Sequence, residues 1–377
     1  MTARRVMYLS HSAELSGAEL SLIALMSSLD RSRYQPLAVI PGAGPLLDRL
    51  VEAGIPAHVL PLTPGSVRRP GGILRNLRLI RSFIREQRVG IIHANSFHAI
   101  KQAAPWRRLD PTPLVGHIRD IVPFTRLTRA AILSCDRVVC VSAAAAANLG
   151  VGQASRASGR VRVIHNGVDP ATVHPLPARA EALEALGLGA IDGPTVGMAA
   201  PLVRWKGQEL FLRAAARVAE KNPSATFILA GSDRFAEPGY VDALHAAAGR
   251  GSLAGRVRFA GFAKSARDLF AALDILVCAS LDPDPLPRAV LEAMTAGVAV
   301  VGSAAGGLPE AVEDGVSGLL VAPGDSDALA DAIARLLDDD TLRLGIARAA
   351  RAAATAKFSL TAHTDRVMSL YEEILAP

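Results

Sequence analysis

LDPDPLPRAVLEAMTAGVAVVGSAAGGLPE, residues 281–310, sets two carboxylates at a spacing from which the rest of the chain can be read. Asp284 is followed, after seven intervening residues, by Glu292. Pro285 and Pro287 fix a turn between them, and the apolar run 289–294 has the look of a helix. One carboxylate is thus expected at a loop tip and the other on the helix that the loop opens. Leu286 and Arg288 keep the backbone N–H groups that the prolines lack, so a few donors and the positive end of the helix lie close by. Carboxylates accept from hydroxyl groups, whereas phosphate oxygens need N–H groups and cations. Together they suit a polyol carried on a phosphate.

Short Val/Ile/Leu-rich runs recur on both sides of this stretch, each separated from the next by a helix-like segment. In the first half they fall at 6–9, 36–40, 57–60, 91–94, 114–116, 137–141 and 161–164, and in the second at 195–199, 227–231, 257–261, 274–280, 298–302 and 318–321. Continuous apolar strands of this kind belong in parallel sheets covered on both faces, so the pattern predicts an α/β chain of two doubly wound, Rossmann-like domains. The Pro- and Gly-rich segment 170–194 reads as the hinge. The expected boundaries are 1–170, 171–360 and a terminal helix within 361–377.

In open α/β sheets, ligands meet the residues just past the strand ends. In the first half these are Ser16, Gly17 and Glu19, then His93 and Asn95, then His117, Arg119 and Asp120 of GHIRD. Gly17 serves either a backbone-bound ligand or a tight turn, a lone His such as His117 is more often simply hydrogen-bonded, and Arg119 and Asp120 either pair or bind a ligand. In the second half Lys206 and Gly207 precede a helix starting near Gln208, a cation and a glycine beside a helix N-terminus, as a phosphate requires. Arg204 shares that loop, and Gly231 and Gly261 would let a nucleotide lie against backbone. Glu310, after Pro309, reads as a helix-start charge.

The composition narrows the function further. Its 377 residues suffice for two ordinary domains, 50% are hydrophobic and 20% charged, and aromatics at 4% argue against a stacking platform for single-stranded nucleic acid. A formal net charge of +6 fits anionic substrates or an anionic membrane surface, or else background composition. Within 73–88, Arg75, Arg78, Arg81, Arg85 and Arg88 draw one helical stripe, with Leu77, Ile80 and Ile84 on another face. That stripe suits an anionic leaflet, the alternative being an ordinary solvated face. Cys135, Cys140 and Cys278 read as small core hydrophobes in a reducing compartment, and no spacing suggests a metal cluster. Without a signal-peptide core near the N-terminus, or an apolar run of roughly 18 residues, the expected location is the cytoplasm with peripheral contact at the inner face of the membrane.

The stretch 281–310 resembles the signature of the retaining glycosyltransferases of family 4, which have the two-lobed GT-B fold. Glu292, Ala293 and Met294 stand where that family has its second Glu and an Ala-Met pair, while Asp284 replaces the first Glu, keeping the charge with one methylene less reach. The resemblance covers nearly the whole chain. It implies a cleft between the lobes, with a terminal helix crossing back onto the first. It also implies that Lys206 holds the donor diphosphate, that the base lies near Phe262 and Lys264, and that Glu292 accepts from the ribose. Asp284 would position the sugar's hydroxyls and His117 would contact the sugar. Leu286 and Gly231 would line the donor site, with Gly17 facing both donor and acceptor, and Ser16, Glu19, Asn95 and Arg119 would face the acceptor. The family's usual Arg five residues before the Lys is Pro201 here, which leaves Arg204 to serve the phosphates.

What the resemblance implies, then, is metal-independent, cofactor-free transfer of a hexosyl group from a nucleoside diphosphate sugar to a glycan or lipid-linked acceptor in bacterial cell-surface polysaccharide synthesis. Three rivals stand beside it. A nucleotide-dependent oxidoreductase would carry GxGxxG after the first strand, where this chain has only Gly17. An epimerase or phosphorylase would share the GT-B architecture, and so would a non-catalytic protein that binds a nucleotide sugar or a partner enzyme.

Overall fold

The computed structural model of the chain describes residues 3–62, 70–105, 109–150 and 159–376. They form two compact α/β units, the first of Met1–Gly167 with Leu360–Pro377 and the second of Val168–Ser359.

The first unit holds seven strands: β1 (Arg4–Leu9), β2 (Tyr34–Ile40), β3 (Ala57–Val59), β4 (Val89–Ala94), β5 (Leu114–Ile118), β6 (Arg137–Cys140) and β7 (Val161–Val163). They pair in parallel in the order β3-β2-β1-β4-β5-β6-β7. The central strands are buried on both faces, which is why Val6–Leu9 and Ile91–Ala94 show no polar alternation beyond His93. The last helix, Leu360–Leu375, belongs to this unit: Val367, Leu370 and Tyr371 join the core of Tyr8, Leu22, Leu25 and Tyr34. Tyr371 meets Tyr34 edge-on at 5.3 Å, and Thr364 Oγ1 lies 2.5 Å from Ser28 Oγ.

The second unit has six parallel strands, β8 (Thr195–Ala199), β9 (Thr226–Ala230), β10 (Val257–Gly261), β11 (Ile275–Cys278), β12 (Ala299–Ser303) and β13 (Leu319–Val321), in the order β10-β9-β8-β11-β12-β13. Its core gathers Phe211, Phe227, Tyr240, Val277, Val301 and Ile333. In each sheet the order reverses once, between β1 and β4 and between β8 and β11, and such reversals are where open α/β sheets take their ligands.

Local departures from the sequence expectations have simple causes. The basic helix runs Pro70–Gln87 and buries Ile80, Phe83 and Ile84, whereas Leu77 is only partly covered. Arg75, Arg78, Arg81 and Arg85 are exposed along it, but Arg88 lies past its end at a φ of +50°, so the stripe is one residue shorter than the periodicity suggests. The helix after Pro287 is Arg288–Ala296, closed by Gly297 in the left-handed region. Cys135 and Cys140 are buried free thiols and Cys278 is partly buried. Among the described residues no helix is long and apolar enough to cross a membrane.

Candidate active site

In the second unit, three loops from the C-terminal edge of the sheet converge on one ion pair. After β8 the chain makes a short turn, Arg204–Lys206, and Gly207 then opens the helix Gln208–Lys221 at a φ of +80°. Glycine is required there for two reasons: the left-handed backbone, and the carbonyl oxygen of Ala279, which would lie 2.0 Å from an added Cβ. This approach presses the loop after β8 against the end of β11 and brings Lys206 Nζ to Asp284 Oδ2. From the other side Gly307 N donates to the Asp284 carbonyl at 2.8 Å, and Gly306, at φ +62°, would place a Cβ 2.0 Å from that same oxygen. Asp284 is thereby clamped, with its side chain 7% and that of Lys206 14% exposed. The ammonium also rests 4.1 Å from the centre of the Trp205 ring.

A pair this dry is a poor stabilising device, because the desolvation of two ions offsets their attraction. Its chemical use is different: it holds a cation and an acceptor ready at a helix start. The helices Gln208–Lys221 and Arg288–Ala296 begin at Gly207 and Pro287, and neither has a side-chain cap. Positive helix ends without side-chain caps beside a lysine form an anion site.

The other candidates of this unit fall along the same sheet edge. Glu292 sits in the second turn of the Arg288–Ala296 helix, and its Oε1 accepts from Arg288 Nε at 2.7 Å. A carboxylate has acceptor capacity beyond one such bond. Leu286 buries its side chain and anchors the loop. Phe262, just past β10, is 54% exposed. One position differs from expectation. Arg204 donates to Glu237 at 2.8 Å and Glu209 at 3.1 Å and stacks 4.7 Å over Tyr240, turned toward carboxylates rather than toward Lys206. Gly231 owes its lack of a side chain to the neighbouring backbone, since an added Cβ would lie 1.8 Å from the Ala200 carbonyl oxygen. The backbone leaving β8 fills that space.

In the first unit the site is densely hydrogen-bonded around one buried arginine. Ser16 caps the helix Gly17–Ser28, its Oγ accepting from Ala18 N at 3.3 Å and donating to the buried Glu19. Arg119 donates from Nε to Asn95 Oδ1 at 2.8 Å and from Nη1 to Asn166 Oδ1 at 2.7 Å, and its Nη2 lies 3.3 Å from His117 Nδ1. His117 and His93 are fully buried, their rings joined through Nδ1 and Nε2 at 3.0 Å. Burial, helped by the Arg119 charge, holds His117 well below the usual imidazole range and His93 near a pKa of about 3. Asp120 is driven the other way, to about 6, by burial, which the Arg119 charge opposes and the Glu19 charge assists.

The structure thus brings Lys206, Asp284, Leu286 and Glu292 to one sheet edge, and Ser16, Gly17, Glu19, Asn95, His117 and Arg119 to the ends of β1, β4 and β5. The sequence reading missed Trp205, Gly306, Asn166, His363 and Tyr371. Gly306, in a Gly-Gly pair, and Trp205, next to Lys206, carried a local signal; the others are joined to the site only by contacts distant in sequence, such as Tyr371 to His93 across 278 positions.

The comparisons with known proteins agree with this geometry. A family model described as Glycosyltransferase Family 4 matches residues 15–172, and one described as Glycosyl transferases group 1 matches residues 193–339. HepE from Anabaena, solved in complex with UDP and glucose, is 29% identical, with 97% of this chain and 99% of that one covered at a TM-score of 0.85. Alpha-D-kanosaminyltransferase from Streptomyces kanamyceticus is 33% identical over 197 residues, 52% of this chain and 49% of that protein. The lipopolysaccharide core biosynthesis glycosyltransferase LpsE of Rhizobium meliloti (strain 1021) is 32% identical over 179 residues, 48% of this chain and 50% of that protein. The chain spans about half the length of these curated relatives. Two models that divide between the two units, and a structural likeness running through both, make the chain a member of glycosyltransferase family 4 with the GT-B fold.

Proposed function

We propose that the protein transfers a hexosyl group from a nucleoside diphosphate sugar to a hydroxyl of a glycan or lipid-linked acceptor, with the anomeric configuration retained, in cell-surface polysaccharide synthesis. The observation that carries this reading is the buried Lys206–Asp284 pair between two helix starts that no side chain caps. HepE, similar over its whole length, was solved with UDP-glucose, which supports a nucleotide sugar as donor.

In this reading the bond from the anomeric carbon to the diphosphate breaks as the bond to the acceptor oxygen forms, and the acceptor's proton leaves with the diphosphate. Negative charge grows on that leaving group, where Lys206 and the backbone N–H groups at the starts of the two helices stabilise it without reorganising. Asp284 accepts from the sugar's hydroxyls, Glu292 from the ribose, and Phe262 flanks the base. Leu286 and Gly231 shape the loops around the donor. His117 contacts the transferred sugar, while Ser16, Gly17, Glu19, Asn95 and Arg119 face the acceptor. Because fixed cations do the work of a metal, transfer is expected to persist in a chelator, and its complete loss there would overturn that part.

The direct test is binding and turnover of a panel of UDP, GDP and ADP sugars, beside Lys206→Ala. Saturable binding of one donor with release of its nucleoside diphosphate, both lost in the variant, supports the transferase. Binding with no release, candidate acceptors included, supports instead a non-catalytic sugar-nucleotide protein. A lipid-linked acceptor would be met at a membrane, and the exposed arginines of the Pro70–Gln87 helix suit an anionic leaflet. Sedimentation with anionic but not neutral vesicles, abolished by Arg75, Arg78, Arg81 and Arg85→Glu, tests this.

A further inference from the structure

Four buried side chains of the first unit form one unbroken hydrogen-bonded line: Tyr8 on β1, Tyr371 on the last helix, His93 on β4 and His117 on β5. Tyr371 donates its hydroxyl proton to Tyr8 Oη at 3.0 Å. A phenol has a single proton, so toward His93 the same oxygen only accepts, and the 2.6 Å contact with His93 Nδ1 requires the proton on that nitrogen. Burial keeps His93 neutral, which leaves Nε2 with a lone pair. The 3.0 Å contact from there to His117 Nδ1 is then a bond donated by His117. His117, neutral for the same reason, has its lone pair on Nε2, and that buried atom has no partner among the described residues. One contact opposes this order, the Arg119 Nη2 at 3.3 Å from His117 Nδ1. It is the longer of the two, and Arg119 is held by Asn95 and Asn166 through its other nitrogens.

We propose that Tyr371 and His93 are positioning residues that hold His117 in the tautomer whose Nε2 accepts a hydrogen bond, so that this position admits a ligand group that donates, a sugar hydroxyl, and rejects one that only accepts. The proposal deepens the transferase reading and rests on it for the identity of the ligand. An acceptor buried without a partner penalises any ligand that leaves it so, which makes the tautomer a specificity element.

Imidazole nitrogen NMR of the full chain with 15N-labelled histidine reads the tautomer directly, because protonated and bare ring nitrogens resonate apart. The wild type is expected to show His117 protonated at Nδ1 and bare at Nε2. Tyr8→Phe keeps the ring that lies 5.1 Å from His93 and hydrogen-bonds to neither histidine, yet it removes the acceptor of the Tyr371 proton. That proton then turns to His93 Nδ1, the line reverses, and His117 carries its proton on Nε2. Transfer should fall about tenfold in kcat/KM while nucleoside diphosphate binding is unchanged, the scale usual for loss of a partner that orients a histidine. Tyr371→Phe leaves His93 Nδ1 with neither a donor nor an acceptor, so a mixture of the two His117 tautomers is expected there. A merely packing role for the tyrosines predicts no change of tautomer in Tyr8→Phe, and that result, or a wild-type His117 protonated on Nε2, overturns the proposal. The spectra do not depend on turnover, so a correct tautomer pattern in a protein that transfers no sugar would sink the transferase reading and leave the hydrogen-bonded line standing.

Discussion

In the first unit the helices that follow β1, β4 and β6 are closed by Ser16, Ser96 and Ser142, whose hydroxyl oxygens accept from Ala18, Ala99 and Ala145. In the second, the helices that follow β8, β11 and β12 begin at Gly207, Pro287 and Gly307 without a side-chain cap. The sheets are alike in topology, yet these helix starts carry serine caps in the first unit and none in the second; away from them the rule lapses, since Gly44 leaves the helix after β2 uncapped and Ser265 and Asp325 cap helices of the second unit. The buried groups at the two edges also differ. The second unit sets Lys206 against Asp284, while the first buries neutral imidazoles beside the Arg119 guanidinium. One edge thus presents a paired lysine beside uncapped helix starts, the other neutral imidazoles and amides around an arginine, and a duplicated architecture has been given different electrostatics by a handful of loop residues.

If that contrast is right, acid should attack the two units unequally, and this is the largest effect expected. Burial depresses His93 to about 3 and His363 to about 4, with His117 also lowered. The unfolded chain takes up protons at these residues below about pH 6.5 that the folded unit does not. Their stabilising contribution is thus present above that pH and lost progressively as pH falls through about 4 and then about 3. Asp120, raised to about 6, works in the opposite sense: its contribution is present below the ordinary carboxylate pKa and lost as pH rises through 6, so acid restores it and offsets part of the loss. Hydrogen exchange corrected for its intrinsic pH dependence should show β4 and β5 losing protection between pH 7 and 4 before β8 and β11. Equal loss in both sheets would break the comparison.

Lys206→Ala tests the charged edge. Transfer should fall about 10²–10³-fold, the usual result of removing one preorganised charge-stabilising donor. The variant should also unfold more easily, because Asp284 is left buried without its partner. Adding Asp284→Ala ought to restore much of the stability and none of the activity. Recovery of both would mean that the pair is only structural.

The glycines sharpen the contrast at smaller scale. Gly207→Ala meets backbone, the Ala279 carbonyl, from a left-handed conformation, and should cost roughly 2–3 kcal/mol together with donor affinity. Gly116→Ala on β5 meets first the tip of the Ile100 side chain at 2.7 Å, which can rotate, so about 1 kcal/mol is expected. Thermal unfolding of the two variants ranks them, and a reversed order would deny that the loop after β8 is held by backbone contact.

The two α/β series and the edge of each sheet that matters were legible in the sequence, because continuous apolar strands and polar strand ends are local patterns. Asp284, Glu292, Lys206 and Gly207 could be found for the same reason. Illegible were contacts made by folding alone. Nothing near Tyr371 in sequence marks it as a partner of His93, and nothing near Arg119 points to Asn166. At Gly231 the sequence did not show the neighbouring backbone, the Ala200 carbonyl, that requires the glycine.

Arg204 is the remaining point on which sequence and geometry disagree, and it carries the smallest expected effect. Pro201 removes the arginine that family 4 usually places in this loop, and Arg204 was the natural substitute. Instead its guanidinium is half exposed and paired with Glu209 and Glu237. Surface pairs of this kind contribute about 0–1 kcal/mol, so a bound diphosphate could in principle draw the side chain away. Were the resting geometry also the working one, Arg204→Ala should lower kcat/KM no more than about threefold, the equivalent of less than 1 kcal/mol. A loss approaching that of Lys206→Ala would mean that Arg204 leaves its carboxylates when the donor arrives. Pro201→Arg then separates the two cases: with Arg204 idle, a new cation beside Lys206 should raise turnover, whereas with Arg204 already on the phosphates it should add little.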